Sequence, residues 1–365
     1  MDEACYTFDA IRGIQAGKSY YLVMCPIKLI SKIFLFDEDE LPAELRAQRV
    51  INRSRIPEIT RYILNNPTEY AFSALTASID GKVEFKPVAE TGAYRNIGKL
   101  EIAMTSRLMI NDGQHRRAAI EEALKERRDF GEETISVVFF IDEGLKRSQQ
   151  LFVDLNKHAV KPSNSLTVLF EHREPLADLA KHLAMNVVGF KGLIEMEKTS
   201  ISNRSIKLFT LSGLYQATRA LLQNPAKSDI TPQQQRLAVD FWNTLSEIFP
   251  EWKLASERKA SSYDLRKECV HAHGVVLHAL GIMGASLIAT YPNDWKERLH
   301  ALKKINWSRT NTGFWEGRAM LAGRMSKAHN NVILTASYLK KVLDLPLTEE
   351  EARIEESYLR ALGED

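Results

Sequence analysis

The sequence predicts an α+β fold, in which a mixed α/β N-terminal domain is followed by an α-helical C-terminal domain. As far as residue 141, segments with the two-residue period of strands alternate with segments of helical period. From Leu145 onward the apolar residues follow almost only the helical period. The chain has 365 residues, 44% of them hydrophobic, which suffices for two domains with separate cores. We therefore expect domains at residues 1–165 and 166–365.

The N-terminal elements follow from hydrophobic period and turn residues. Residues 5–36 contain two strand-like runs around a turn at Ala16–Ser19, and a helix is expected between Pro42 and Asn66. The dipeptide Asp80-Gly81 predicts a hairpin between the strands that flank it. A further helix is expected at residues 113–128. The expected strands are Tyr6–Ile14, Tyr20–Ile27, Tyr70–Ile79, Lys82–Val88, Leu100–Met104, Arg107–Ile110 and Ile135–Ile141.

Proline and glycine divide the C-terminal half into separate helices. No internal repeat or low-complexity linker separates this half from the first. The expected breaks are at Lys161-Pro162, Gly189–Gly192, Asn224-Pro225, Pro250, Pro292 and Pro346.

The composition excludes several classes of protein. The longest apolar stretches, Ile135–Ile141 and Val275–Ile288, are too short or too interrupted for the ~18–20 apolar residues of a membrane span. The chain begins Met1-Asp2-Glu3, which is acidic where a secretory signal would be basic. Its three cysteines form no CxxC pair, so a disulfide framework is not expected. We expect a cytoplasmic protein without a membrane partner.

The net charge of +2 conceals segments of opposite sign. Lys296–Lys341 carries ten Lys and Arg against two Glu, a net charge of +8, and Asp344–Asp365 carries a net charge of −6. Arg46–Arg61 holds five arginines against one glutamate, Glu58. One interpretation of the acidic tail is that it pairs with the basic segment of a neighbouring subunit, which predicts a homo-oligomer. Because cations neutralise DNA phosphates, the candidate DNA contacts are Arg49, Arg53, Lys304, Arg309, Arg318, Arg324 and Lys327.

The segment Asn111–Arg117 follows a predicted strand and opens a predicted helix. A helix N-terminus presents free backbone N–H groups and favours anions. Gly113 permits a tight turn there. The phosphate-binding candidates are Gly113, Gln114, His115, Arg116, Arg117 and Arg55. The alternative is structural, with Asp112 as the N-cap of the helix and the arginines in solvent.

The string Asp112–Arg116, DGQHR, resembles the signature of the DGQHR-domain family, whose fold is shared by ParB and sulfiredoxin. In the ParB branch the matching turn contacts nucleotide phosphates. A sulfiredoxin-type thiol enzyme would need a cysteine in this motif, where the chain has Gln114. The resemblance therefore implies a ParB/sulfiredoxin-like N-terminal domain without thiol catalysis.

Further segments look like the DndB family, the regulatory component of bacterial DNA phosphorothioation. They are Arg55–Ile63, Tyr70–Gly81, Phe152–Lys157, Lys304–Arg309 and Trp315–Arg318. This resemblance implies a DNA-binding protein that represses the modification genes and limits DNA sulfur modification. The implied partners are double-stranded DNA at the promoter of those genes and, as an adaptor alternative, the modification enzymes.

The segment Phe152–Ser163 resembles the ParB-like helix that holds a nucleotide-bound Mg²⁺. Asp154 and Asn156 would be the metal ligands, because Mg²⁺ prefers oxygen donors. The chain has no P-loop, so ATP or CTP with Mg²⁺ would bind in another way. The alternative function is therefore an Mg²⁺-dependent NTPase or DNA-nicking enzyme, with Asp112 and Asp154 as catalytic residues. No cofactor is certain from the sequence.

Several conspicuous residues are expected to be structural. His271 and His273 lie on different sides of a helix and have no cysteine or carboxylate pattern for zinc, so we expect interior histidines. Cys25 lies in an apolar strand and is expected to be buried. Trp307 and Trp315 are more typical of a core than of DNA contacts.

Overall fold

The computed structural model describes residues 4–34, 53–141, 162–223 and 229–363. The chain divides into two compact units, unit 1 at Met1–Val160 and unit 2 at Lys161–Asp365. Unit 1 is a mixed α/β structure and unit 2 is almost entirely helical, which confirms the predicted α+β class. Within the described ranges, no helix combines the length and the apolar character that a bilayer crossing requires.

Unit 1 contains a seven-stranded mixed sheet in the order β4-β5-β1-β2-β7-β3-β6. All neighbouring strands are antiparallel except β3 and β7, which are parallel. The strands are β1 Cys5–Gln15, β2 Lys18–Pro26, β3 Leu75–Asp80, β4 Val83–Pro87, β5 Ile97–Ala103, β6 Arg107–Asp112 and β7 Thr134–Ile141. The helices are α1 Ile27–Ile33, α2 Ile56–Asn65 and α3 Gln114–Glu126, with 3-10 turns at Arg53–Arg55, Ala93–Asn96 and Arg128–Glu132.

The predicted hairpin at Asp80-Gly81 is wrong, because β3 and β4 are consecutive but do not pair. In the sheet order they stand five strand spacings apart, about 24 Å in a flat sheet. The chain from Asp80 to Val83 spans at most about 11 Å. The sheet therefore curls strongly and brings its two edges near each other.

The core of unit 1 lies between the concave sheet and its helices. Alternate strand residues such as Val23, Ala77 and Val137 are buried beneath Ile63 of α2 and Ile120 of α3. Cys25 is also fully buried, as predicted, and burial raises the pKa of its thiol to about 12. Helices α2 and α3 pack against each other, and α1 packs against α3. This packing fixes where α3 begins.

Unit 2 packs its helices around a core rich in aromatic side chains. Its helices are α4 Asn164–Phe170, α5 Pro175–Asn186, α6 Leu211–Leu222, α7 Pro232–Ile248, α8 Pro250–Ser256, α9 Ser262–Glu268, α10 Gly274–Thr290, α11 Trp295–Leu299, α12 Thr312–Trp315, α13 His329–Val342 and α14 Glu349–Leu362. The short strands β8 Ile194–Glu195 and β9 Phe209–Thr210 pair in parallel, and β10 Met320–Leu321 and β11 Arg324–Met325 pair antiparallel. Two 3-10 turns lie at Val270–Ala272 and His300–Lys304.

Helices α6 and α10 run parallel and touch closely. A Cβ on Gly281 would lie 2.1 Å from the carbonyl oxygen of Ala217, and one on Gly284 would lie 2.8 Å from Cδ1 of Leu221. From the first contact to the second, the residue number increases along both helices, so the helices run in the same direction. The N-termini of α6 and α10 therefore lie at the same end of the pair.

Candidate functional site: the strand-to-helix turn at Asp112–Arg117

A β-bulge immediately precedes the turn. Thr76 of β3 lies opposite Asp112, but the next residue, Ala77, lies opposite Ile110, so Asn111 is the extra residue in β6. Asn111 is buried and donates through Nδ2 to Ser78 Oγ at 2.6 Å. Bulges redirect a strand where a side chain has to be aimed. Here the bulge redirects the chain into Asp112 and the helix that follows.

Gly113 forms the corner between β6 and α3. Its φ is 108°, a backbone conformation that residues other than glycine rarely adopt. A Cβ at this position would also lie 2.4 Å from Cδ2 of Leu75. Gly113 is the N-cap of α3, and no described side chain caps this helix end. The predicted N-cap role of Asp112 is therefore wrong, because Gly113 occupies the N-cap position and has no side chain with which to cap the helix.

Arg116 fastens the turn to the neighbouring chain. Its Nη2 donates to Oδ2 of Asp112 at 2.6 Å, and its Nη1 donates to the carbonyl oxygen of Ser73 at 3.0 Å and to the Ser73 hydroxyl. The side chain of Arg116 is 16% exposed and that of Asp112 is 44% exposed. Both terminal nitrogens of the Arg116 guanidinium therefore donate hydrogen bonds to groups within the protein. This arrangement makes Arg116 a positioning residue for the turn.

Gln114 and Arg117 also face the protein. The Gln114 amide donates to the carbonyl oxygens of Ile110 and Asn111 at 3.2 and 3.4 Å. Arg117 is buried and its Nη1 lies 3.1 Å from Oε2 of Glu121, while its buried Nε has no hydrogen-bond partner among the described residues. These contacts hold the first turn of α3 in place.

His115 and Arg55 lie on the same side of the site. Thr60 of α2 donates to the carbonyl oxygen of Ala119 on α3 at 3.5 Å, so the middle turns of the two helices are in contact. Burial lowers the pKa of His115, the charge of Arg55 lowers it further, and Asp112 partly opposes this effect. Arg55 is exposed. The exposed positive group at this site is therefore Arg55, beside an imidazole that stays neutral at pH 7.

The geometry suits anion binding better than metal catalysis. Uncapped N–H groups at a helix N-terminus attract a negatively charged group. The carboxylate of Asp112 is already neutralised by Arg116, which makes it a weak Mg²⁺ ligand. The remaining candidates, Arg49, Asp154 and Asn156, lie outside the described residues. No group of three or more metal-ligating side chains occurs in the part of the chain that the structure describes.

The candidate cations of unit 2 fall into different environments. Lys304 and Arg324 are exposed, and Arg309 and Lys327 line a cavity. Arg318 is only 8% exposed, and its guanidinium donates to both carboxylate oxygens of Glu355 at 2.7 and 2.9 Å. We therefore correct the prediction for Arg318, because a buried and fully paired guanidinium is not available to a DNA phosphate.

The acidic tail pairs with the basic segment of the same chain. Besides the Arg318–Glu355 pair, Lys340 donates to Glu351 at 2.7 Å, and Lys341 donates to Glu355 at 2.7 Å. These intrachain pairs use two of the eight carboxylates of the tail and three of the ten cations of the basic segment. The sequence held one indication of these pairs: Glu351 and Glu355 are four residues apart, so both carboxylates lie on one face of a helix. No pattern in the sequence indicated that Ser73 would accept hydrogen bonds from Arg116.

His271 and the two tryptophans are core residues, as predicted, whereas His273 is only partly buried and lines a cavity. His271 is buried, stacks on Phe249 and accepts a hydrogen bond at Nδ1 from Trp252 Nε1 at 3.1 Å. Trp315 is fully buried and Trp307 is 9% exposed. The rings of both tryptophans pack in the core of unit 2.

The comparisons with known proteins identify one family. The DndB family model, described as DNA-sulfur modification-associated, matches residues 8–346, which is nearly the whole chain. No curated protein and no solved structure matches the chain significantly. The similarity of the turn to ParB and sulfiredoxin stays a prediction.

Proposed function

Because the chain belongs to the DndB family, which is associated with DNA sulfur modification, we propose that it is a DNA-binding repressor of the modification genes. In this proposal the protein binds double-stranded DNA at the promoter of those genes. Repression then limits the amount of modification enzyme and the extent of sulfur modification. The family match supports the connection to sulfur modification, and the charges described next support the DNA binding.

The observation that carries the DNA-binding proposal is a set of exposed cations without acidic partners among the described residues. Arg53 and Arg55 in unit 1 and Lys304 and Arg324 in unit 2 are exposed. None of the four forms an ion pair with a described carboxylate. By contrast, Lys28 pairs with Glu132 and Lys296 pairs with Asp240. Unpaired surface cations are the groups that gain most from a phosphate backbone.

The turn at Asp112–Arg117 would add a fixed phosphate contact. The N-terminus of α3, where the N-cap is Gly113, directs backbone N–H groups toward this site, and Arg55 adds a nearby charge. The Asp112–Arg116 pair holds these donors in position and carries no net charge. Contacts of this kind fix the register of a protein on DNA but do not read its sequence. Base recognition has to come from other residues.

The test measures binding to duplex DNA from the promoter of the modification genes at several salt concentrations. Replacing Arg53, Arg55, Lys304 and Arg324 together by Ala should weaken binding. It should also flatten the dependence of log K on log [salt], by up to about 0.9 for each phosphate that the variant no longer neutralises. The control is Lys28→Ala with Lys296→Ala, since these charges are already paired. Equal affinity and slope for the fourfold variant and wild type would refute the proposed interface.

Repression itself needs a second measurement. A reporter gene behind the same promoter should be silenced by the wild-type chain and released by the fourfold variant. Tight promoter binding without silencing would contradict the repressor role and would favour the adaptor alternative, in which the chain recruits the modification enzymes.

A further inference from the structure

Unit 2 contains a partly open cavity of about 690 Å³ that has a basic lining. Arg266, Lys267, Arg309 and Lys327 all line it, and none of the described residues that line it is Asp or Glu. A cavity of this volume is typical of small-molecule sites. All of its lining residues belong to unit 2, whereas the turn at Asp112–Arg117 belongs to unit 1.

The cations of this cavity are held by neutral groups. Arg266 is buried and donates to backbone carbonyl oxygens in residues 202–207, among them that of Asn203 at 2.9 Å. Arg309 donates to the carbonyl oxygens of Arg266 and Gly323, both at 3.2 Å. Lys327 donates through Nζ to the Gln216 amide oxygen at 3.0 Å. The partners position these charges without neutralising them.

The ends of two helices strengthen the positive field. The parallel helices α6 and α10 both begin at the cavity wall, where Ser212 and Gly274 line it. Nζ of Lys327 would lie 3.8 Å from a Cβ on Gly213 and 4.0 Å from one on Gly274. A lysine placed beside two helix N-termini is repelled by both of them. An anion bound among them would remove this repulsion.

The titration of His273 agrees with this field. The pKa values of Arg266 and Lys327 are lowered by burial alone. Burial also lowers the pKa of His273 to about 4; a hydrogen bond to the Arg266 carbonyl opposes this, and the charges of Arg309 and Arg266 lower the pKa further. His273 is therefore neutral and donates from Nε2 to the carbonyl oxygen of Arg266 at 2.7 Å.

We propose that this cavity binds a small organic phosphate, with the phosphate group held by Lys327 and Arg309 beside the N-termini of α6 and α10. Hydroxyl and amide side chains, including Thr210, Ser212 and Asn164, line the same space and supply neutral donors. The cavity is much larger than one phosphate group, and Tyr263 and Phe209 line it as well. The organic part of the ligand has room beside these rings. This site does not depend on the DNA-binding proposal.

The test measures binding of inorganic pyrophosphate and of ribose 5-phosphate to the full chain by calorimetry and by thermal shift. Wild type should bind both probes saturably and melt at higher temperature in their presence. Lys327→Gln and Lys267→Gln should each weaken binding, by about tenfold or more for Lys327→Gln, since it loses a charge-assisted hydrogen bond. Lys253→Gln is the control, because Lys253 is exposed in the same unit but does not line the cavity.

Three outcomes would overturn the proposal. One is the absence of saturable binding of either probe to the folded wild type. Another is an equal loss of binding in Lys327→Gln and Lys253→Gln, which would indicate general ionic attraction. The third is displacement of pyrophosphate by duplex DNA together with loss of DNA affinity in Lys327→Gln, which would assign the cavity to a DNA phosphate. The tryptophan fluorescence of each variant verifies its fold, because all five tryptophans lie in unit 2.

Discussion

Arg318 and Glu355 form a bidentate ion pair in the interior of unit 2, with side chains that are 10% and 4% exposed. Burial alone raises the pKa of the Glu355 carboxyl, but hydrogen bonds from Arg318 and Lys341, together with their charges, outweigh it and lower that pKa. Arg318 also packs over the Tyr358 ring, with its guanidinium carbon 4.7 Å from the ring centroid. The pair attaches the acidic helix α14 to the basic segment that precedes it.

Removing one partner of this pair should strongly destabilise unit 2. Arg318→Met leaves the buried Glu355 carboxylate with Lys341 as its remaining cationic partner, and we expect a loss of up to about 3–5 kcal/mol in the free energy of unfolding. The double variant with Glu355→Leu should recover much of that loss, because the buried carboxylate is removed as well. Urea unfolding followed by tryptophan fluorescence measures both. Arg360→Met is the control, since the exposed Arg360–Glu356 pair should contribute less than about 1 kcal/mol. A small loss in Arg318→Met would contradict the structural role.

Gly113→Ala should destabilise unit 1 because of both its backbone conformation and its surroundings. The control is Gly17→Ala, which has a φ of 75° but no described atom within 4 Å of the added Cβ. Both variants bear the cost of a left-handed residue, about 1–2 kcal/mol. Gly113→Ala should lose about 1–3 kcal/mol more, owing to the contact with Leu75. Hydrogen exchange of the amides in β6 and α3 measures the difference, and equal losses would refute the steric argument.

Asp112→Asn distinguishes phosphate binding from metal catalysis. Asparagine keeps a hydrogen-bond acceptor for Arg116 but removes a negative charge beside the proposed phosphate. Binding to duplex DNA should therefore be unchanged or tighter. Asp129→Asn is the control, because Asp129 pairs with Arg127 elsewhere in unit 1. Metal-dependent nucleotide hydrolysis or DNA nicking that is present in wild type and lost in folded Asp112→Asn would favour the enzyme alternative.

Acidification should destabilise unit 2 through its buried histidines. Burial lowers the pKa of His271 to about 3, with a further contribution from His273, whereas its ordinary value is 6.5. The unfolded chain therefore binds this proton first as the pH falls. The stability that neutral His271 contributes is fully present above pH 6.5 and is lost as the pH falls toward 3, by up to about 1.4 kcal/mol per pH unit. His278, whose pKa burial lowers to about 4, acts in the same direction.

His271→Asn should reduce this pH dependence. The asparagine keeps an acceptor for Trp252 Nε1 but does not titrate, so the slope of unfolding free energy between pH 6.5 and 4 should fall by up to one proton. The measurement is urea unfolding at several pH values. The exposed histidine change His172→Asn is the control. A slope identical to that of wild type would show that His271 does not titrate on unfolding.

The sequence by itself determined the α+β class, the N-terminal hairpin, helix α3 and the glycine corner at its start. It also indicated that Cys25, His271 and Trp315 are interior residues. These features depend on hydrophobic period, on turn chemistry and on the cost of exposing apolar side chains, all of which act over a few neighbouring residues.

Only the tertiary structure decided how the strands after the N-terminal hairpin pair and which charges remain free. Asp80-Gly81 forms a tight turn, yet the strands on either side of it pair with other partners because the sheet curls. Arg318 and Arg324 look alike in sequence, but one is paired inside the protein and the other is exposed. The basic cavity joins residues from Asn164 to Lys327. Pairings over such distances in the chain depend on how whole elements pack, and a local pattern of residues does not specify that packing.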